Sequence, residues 1–156
     1  YPHAQFDMVR CGIGIYGFAN DTKLQQYLTP IMTLKSVISQ LHTLQIGDSL
    51  GYNRGYIANH ITKTATIPVG HADGINRIYG KGKGFVFING KKAPIIGNVC
   101  MDMIMVDITG LNCEEGDEVV IFDQRHTSET LAETAQTISY ELITSLSRRI
   151  KRVFIK

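Results

Sequence analysis

The sequence has no tryptophan, three cysteines, four prolines and a formal charge of only +2. Nowhere does an uninterrupted apolar run reach the ~18 residues of a membrane-spanning helix. Each shortage excludes something. The charge is too small to imply a nucleic-acid or anionic-membrane partner by itself. Cys11, Cys100 and Cys113 are odd in number and lack CxxC spacing, and the five histidines do not cluster with them, so neither a disulfide framework nor a zinc site is suggested. Residues 1–15 show no basic leader followed by an apolar core, and reduced thiols fit a cytoplasmic protein best. With 156 residues, 44% hydrophobic and 19% charged, what remains is a globular chain. It forms one domain, with room for a small appendage, and can bury roughly two-thirds of its unfolded surface. Because it opens on Tyr1 rather than Met, the chain is read as a fragment or a processed product.

Glycine is plentiful and sets the punctuation. "FDMVRCGIGIYGF" (residues 6–18) runs an apolar strand end into a tight turn before Asn20-Asp21, and the pattern changes character after Pro30, where a boundary is placed. Beyond it the chain reads as mainly β. "IMTLKSVISQLHTL" is rich in β-branched residues, "TATIPVG" is short and apolar, and Asn89-Gly90 between two apolar runs is a strong hairpin signal. "VCMDMIMVDITG" alternates Met101, Met103 and Met105 on one face with Asp102, Ile104 and Val106 on the other, as a strand would. "EGDEVVIFD" adds a turn and a strand. Thr127 or Ser128 caps a helix with Leu131, Ala135 and Ile138 on one face, Ser139 to Leu146 forms a short second helix, and "RRIKRVFIK" reads as a last strand. Short strands between glycine turns predict a barrel or compact sandwich.

The chemistry-bearing stretches are weak when taken one at a time. In "SLGYNRGYIA", Tyr52 and Tyr56 suit strand tyrosines at a barrel rim. A tyrosine acting as a base would need a neighbour that stabilises phenolate, since its ordinary pKa is about 10. Arg10 precedes the glycine turn of "MVRCGIGIYG", whose backbone amides suit a phosphate, but no P-loop lysine is present and the signal is weak. His71 and Asp73 in "PVGHADG" fit a turn, and Met101 in "NVCMDM" fits a core position.

In order, however, "DMVRCGIGIYG", "PIMTLKS", "SLGYNRGY", "IPVGHADG", "VFINGKKAPIIGNVCMDMIMVDIT", "GDEVVIF", "TLAETAQTISYEL" and "SRRIKRVFI" closely resemble the C-terminal part of alanine racemase, a pyridoxal 5'-phosphate enzyme. The resemblance covers essentially the whole chain, and "KAPIIGNVCMD" and "TISYEL" are its most specific phrases. It implies that residues 1–29 are the C-terminal tail of a cofactor-binding (β/α)8 barrel. Residues 30–156 would be a compact, barrel-like β domain with short helices near its end. It implies that Arg10 bonds the pyridine nitrogen of the cofactor and that Gly12, Ile13 and Tyr140 help bind its phosphate. Tyr52 would be the catalytic base on one face of the substrate. Met101 and His71 would line the site that this domain lends to the other subunit of a head-to-tail homodimer.

The implied function is interconversion of L- and D-alanine, the latter a peptidoglycan precursor. The partners would be a small amino-acid substrate, the protein's own N-terminal barrel and a second subunit, with no nucleic acid. The lysine that holds the cofactor is not in this chain, and Lys35 and Lys63 lie outside the matching motifs, so the fragment alone should be inactive. Two departures stand out: His71 replaces the family's usual tyrosine, and Asn53 replaces the glycine that usually follows the catalytic tyrosine. They leave open a serine racemase of the glycopeptide-resistance type, whose catalytic part is joined to a membrane portion. A stand-alone β-barrel binding module is the alternative of another class, supported by "GKGKGF" and "RRIKR".

Overall fold

The computed structural model describes residues 2–155. They divide into two compact units, one ending at Met32 and one beginning at Thr33.

The first unit contains no strand among its described residues, contrary to the strand expected before the Gly12 turn. An isolated strand leaves its backbone groups unpaired, and residues 6–11 have no neighbouring strand here and lie exposed; the order of this unit comes from the turns that follow. Ile13–Tyr16 makes one turn of 3-10 helix, closed by Gly17 at φ 87°. Helix α1 (Thr22–Gln25) follows, capped by the Asp21 carboxylate, which accepts from the Lys23 amide at 2.7 Å. The Gln25 side chain accepts from the Ala19 amide at 2.8 Å and donates to the Gly17 carbonyl at 3.1 Å, which pins the turn.

The second unit is mainly β, as expected. Its strands are β1 (Leu34–Val37), β2 (Gln40–Leu44), β3 (Ser49–Leu50), β4 (Tyr56–Ile57), β5 (Thr62–Ile67), β6 (Phe85–Ile88), β7 (Lys91–Ile96), β8 (Ile104–Asp107) and β9 (Glu118–Phe122). β3 and β4 form a separate ribbon, and the other seven form one antiparallel sheet in the order β1-β9-β6-β7-β8-β5-β2. Its two edges, β1 and β2, are consecutive pieces of one segment. Ile38 donates to the Asp117 carbonyl next to β9 at 2.9 Å, and Ser39 donates to the Thr66 carbonyl of β5 at 2.9 Å. One stretch of chain therefore switches partner between two neighbouring residues and curls the sheet back towards itself, leaving little unpaired edge.

Asn89 (φ 51°) and Gly90 (φ 73°) form the expected two-residue hairpin between β6 and β7. Pro94 sits within β7 although it cannot donate. Alternation explains its tolerance: the Ile95 amide points to Gly84 on the β6 side, so the missing N–H of Pro94 faces β8, where pairing begins only at Ile95. Both faces of β8 are covered, since Ile104, Met105 and Val106 are all buried. The strand is shorter than the sequence suggests: Met101 and Met103 lie exposed in the loop before it, so the three methionines do not share a strand face. Pairing with β5 starts only at Ile104 opposite Ile67.

Helices α2 (Ser128–Glu133) and α3 (Ser139–Ser145) follow the last strand. Thr127 caps α2 through the Thr130 amide. The chain leaves the helix at Gln136 (φ 55°), so Leu131 and Ala135 are buried but Ile138 is exposed instead of continuing their face. Residues 148–155 form no strand either. Their apolar-basic alternation has no ladder partner, and Val153, Phe154 and Ile155 are exposed.

The partner switch generates a stability prediction. Ile38 is 1% exposed and Val37 is 46% exposed. Ile38→Ala should cost about 2–5 kcal/mol in urea unfolding, against less than about 1 kcal/mol for Val37→Ala. Equal small losses would show that the switch point is not a packed closure.

Candidate active-site loops

The two tyrosines of "GYNRGY" have different fates. β3 and β4 pair Leu50 with Tyr56, and both side chains pack on Ile96, Cys100 and Met105. The Tyr56 hydroxyl lies 3.2 Å from Thr62 Oγ1, so this ring is a structural anchor. Tyr52 sits at the tip of the ribbon on a 3-10 turn (Tyr52–Arg54) and is 55% exposed. That turn is strained. Asn53 and Arg54 both have positive φ, 54° and 52°, a region that costs a side-chain-bearing residue about 1 kcal/mol or more. Asn53, standing where a glycine was expected, is among the residues that tolerate it best.

His71 and Met101 are brought together by their backbones. His71–Asp73 is another 3-10 turn; the His71 amide donates to the Cys100 carbonyl at 2.9 Å and the Ala72 amide to the Met101 carbonyl at 2.8 Å. The approach is close enough to require Gly70, where a Cβ would fall 2.5 Å from the Met103 nitrogen. Both side chains are exposed.

Arg149, not singled out in the sequence, holds this pair of turns. Its Nε donates to Asp73 Oδ1 at 2.7 Å, and its Nη2 donates to Asp73 Oδ2 at 3.0 Å and to Asp102 Oδ1 at 2.7 Å. A guanidinium fork suits such a bridge, where an ammonium would not. The Ser147 amide adds a bond to the Asp73 carbonyl at 3.1 Å. Burial alone would raise the Asp73 carboxyl, but the Arg149 fork and the Gly70 amide, 2.8 Å from Oδ2, outweigh it and hold the group below its ordinary range.

Tyr140 is the second residue of α3, and its carbonyl accepts from the Thr144 hydroxyl at 2.7 Å. A cavity of about 450 Å³ opens between His71, Gly74, Tyr79, Gln136, Glu141 and Leu142. Burial pushes the Tyr79 hydroxyl above its usual range, with Glu141 adding to the effect. Arg10, Gly12 and Ile13 belong to the first unit. There Arg10 is exposed, Gly12 precedes the 3-10 turn that Ile13 begins, and a Cβ at Gly12 would meet nothing within 4 Å. Tyr52, His71, Met101 and Tyr140 all belong to the second unit.

Because the folded-state pKa of Asp73 is depressed, its stabilising contribution is complete above the unfolded carboxyl pKa, about 3.9, and is lost as pH falls through the lower folded value. The melting temperature should therefore fall as the pH drops below about 4, and Asp73→Asn should make that fall shallower. Asp123 remains in the variant. Its burial raises the carboxyl, while the His126 and Arg125 amides and the His126 ring lower it further, so some acid sensitivity persists. Parallel acid profiles for variant and wild type would contradict the assignment.

The comparisons with known proteins agree with this geometry. The family model for the alanine racemase C-terminal domain matches residues 31–154. Alanine racemase 1 of Clostridium acetobutylicum is 40% identical over 163 residues, which cover 99% of this chain and 42% of that protein. An alanine racemase structure from Clostridium difficile 630 superposes with a TM-score of 0.85 at 36% identity, over 96% of this chain and 40% of that one. The alanine racemase of Bartonella henselae, solved with covalently bound pyridoxal phosphate, gives 0.84 at 34% identity, over 96% and 42%. The chain thus spans about two-fifths of the length of the curated relatives it matches. It belongs to the alanine racemase C-terminal domain family.

Proposed function

We propose that this chain is the C-terminal portion of a pyridoxal-phosphate-dependent alanine racemase, with Tyr52 as the acid–base group on one face of the substrate. Racemisation takes a hydrogen from the α-carbon on one side and returns one on the other, so it needs two proton-handling groups on opposite faces. The observation that carries the reading is the contrast between the tyrosines. Tyr56 is packed and bonded to Thr62, whereas Tyr52 is presented on a strained, exposed turn. The second group, a lysine that also holds the cofactor, comes from the remainder of the longer protein, and this chain alone is inactive.

In that protein residues 1–29 complete the cofactor-binding barrel and residues 30–156 form the β domain. The residues fit pyridoxal phosphate in kind. Arg10 offers a permanent positive charge to the pyridine nitrogen, Gly12 and Ile13 an unobstructed backbone turn to the phosphate, and Tyr140 a phenol to the same group. Bound there, the cofactor supplies the electron sink that makes the α-hydrogen removable. Arg10 at the pyridine nitrogen, in place of a carboxylate, would disfavour protonation of that nitrogen and so restrain the sink. His71 and Met101, on adjoining turns, line the substrate site of the partner subunit in a homodimer. The cytoplasm is the expected location, as three unpaired thiols suggest.

Tyr52→Phe keeps the ring and removes the proton-carrying oxygen. In the full-length racemase it should lower turnover about 10²- to 10⁴-fold with a much smaller effect on substrate binding. Tyr56→Phe should retain turnover and lose about 1 kcal/mol of stability. Steady-state kinetics with both alanine enantiomers checks the pair, and the reverse outcome would give the role to Tyr56.

A further inference from the structure

The turn that carries Tyr52 is gripped by a side chain far away in sequence. Asn98 Nδ2 donates to the Tyr52 carbonyl at 2.8 Å. The fit leaves no slack: a Cβ at Gly55 would lie 2.6 Å from that same Nδ2 and 2.9 Å from the Asn98 backbone nitrogen. Between these two points the chain passes through Asn53 and Arg54, both at positive φ. Two successive residues in that region persist only where the surroundings over-determine them, and Asn98 supplies such a constraint. Asn98 also precedes Met101 by three residues in the same loop, and its own carbonyl accepts from the Cys100 thiol at 3.7 Å.

We propose that Asn98 is a positioning residue for Tyr52. It sets the height and direction of the turn, and so the approach of the phenol oxygen to the α-hydrogen, and it couples that turn to the loop bearing Met101. The inference rests on the reading of Tyr52 as the base. The carboxamide is chemically suited to the task because the partner is a carbonyl: an aspartate of the same shape would offer an acceptor where a donor is required. Misplacing a proton-transfer group by a fraction of an ångström to 1 Å slows the chemical step more than it weakens binding.

The test is made in the full-length racemase, with Asn98→Asp, Asn98→Ala and Tyr52→Phe. kcat, KM and the primary isotope effect of α-deuterated L- and D-alanine are measured beside the melting temperature. Both Asn98 variants should lose about 10- to 10²-fold in kcat while KM stays within about two-fold. The isotope effect should rise for one enantiomer only, the one whose hydrogen Tyr52 removes, because only that transfer has been slowed. An unchanged kcat in both variants, or isotope effects that shift equally for both enantiomers, overturns the proposal. So does an aspartate variant that behaves as wild type while the alanine variant is impaired, since shape rather than the donor would then matter. If alanine at 98 prevents folding, the isosteric aspartate decides. Normal turnover by Tyr52→Phe would overturn the reading of Tyr52 itself. An impaired Tyr52→Phe beside unaffected Asn98 variants removes only the positioning role.

Discussion

The loop from Gly97 to Asp102 must satisfy its own polar groups after β7 ends, and that requirement organises the candidate site. The Gly97 carbonyl accepts from Lys81 at 2.7 Å, the Cys100 carbonyl from His71, and the Met101 carbonyl from Ala72. The Asn98 side chain reaches the Tyr52 turn, and the Asp102 carboxylate takes the second arm of Arg149. Buried backbone groups left unpaired are costly. The loops bearing Tyr52 and His71 are therefore held in the same way that strands are, by hydrogen bonds to a neighbouring segment. The sheet contributes the platform: Ile96 and Met105, at the adjoining ends of β7 and β8, are paired in the ladder and pack with Cys100 under Leu50 and Tyr56.

This arrangement separates what must be rigid from what must be accessible. Backbones at His71, Met101 and Tyr52 are tied down, while their side chains stand exposed. The strained φ values at Asn53 and Arg54 fall in the turn that presents the tyrosine, where local strain is tolerated because the surrounding contacts over-determine it. The fork of Arg149 performs a parallel service for the other two turns. It joins Asp73 and Asp102 through charge-assisted bonds and brings the C-terminal segment against both.

Local rules made much of the sheet legible. Asn89-Gly90 announced a hairpin because both residues accept positive φ, and β-branched runs marked β5, β9 and the stretch that holds β1 and β2, though not the break between those two. The methionine alternation misled because Met and Ile are both apolar at successive positions, so the sequence pattern could not show that the strand starts at Ile104. "RRIKRVF" has the alternation of a strand but no neighbouring strand to pair with, and pairing partners are not a local property. The role proposed for Tyr52 came from the resemblance to alanine racemases, not from its spacing. Asn98 and Arg149 went unnoticed because their partners lie 46 and 76 residues away, and neither residue type is unusual where it stands.

If the loop after β7 is the hub, the amides that donate to it should be as protected as the core. Native-state hydrogen exchange of the His71 and Ala72 amides in this chain, followed by NMR at increasing denaturant, tests this directly. The account predicts that both exchange only through the same global opening as the amides of β8, with the same denaturant dependence. Rapid exchange through a local opening insensitive to denaturant would contradict it, because the turns would then be free of the segment said to hold them.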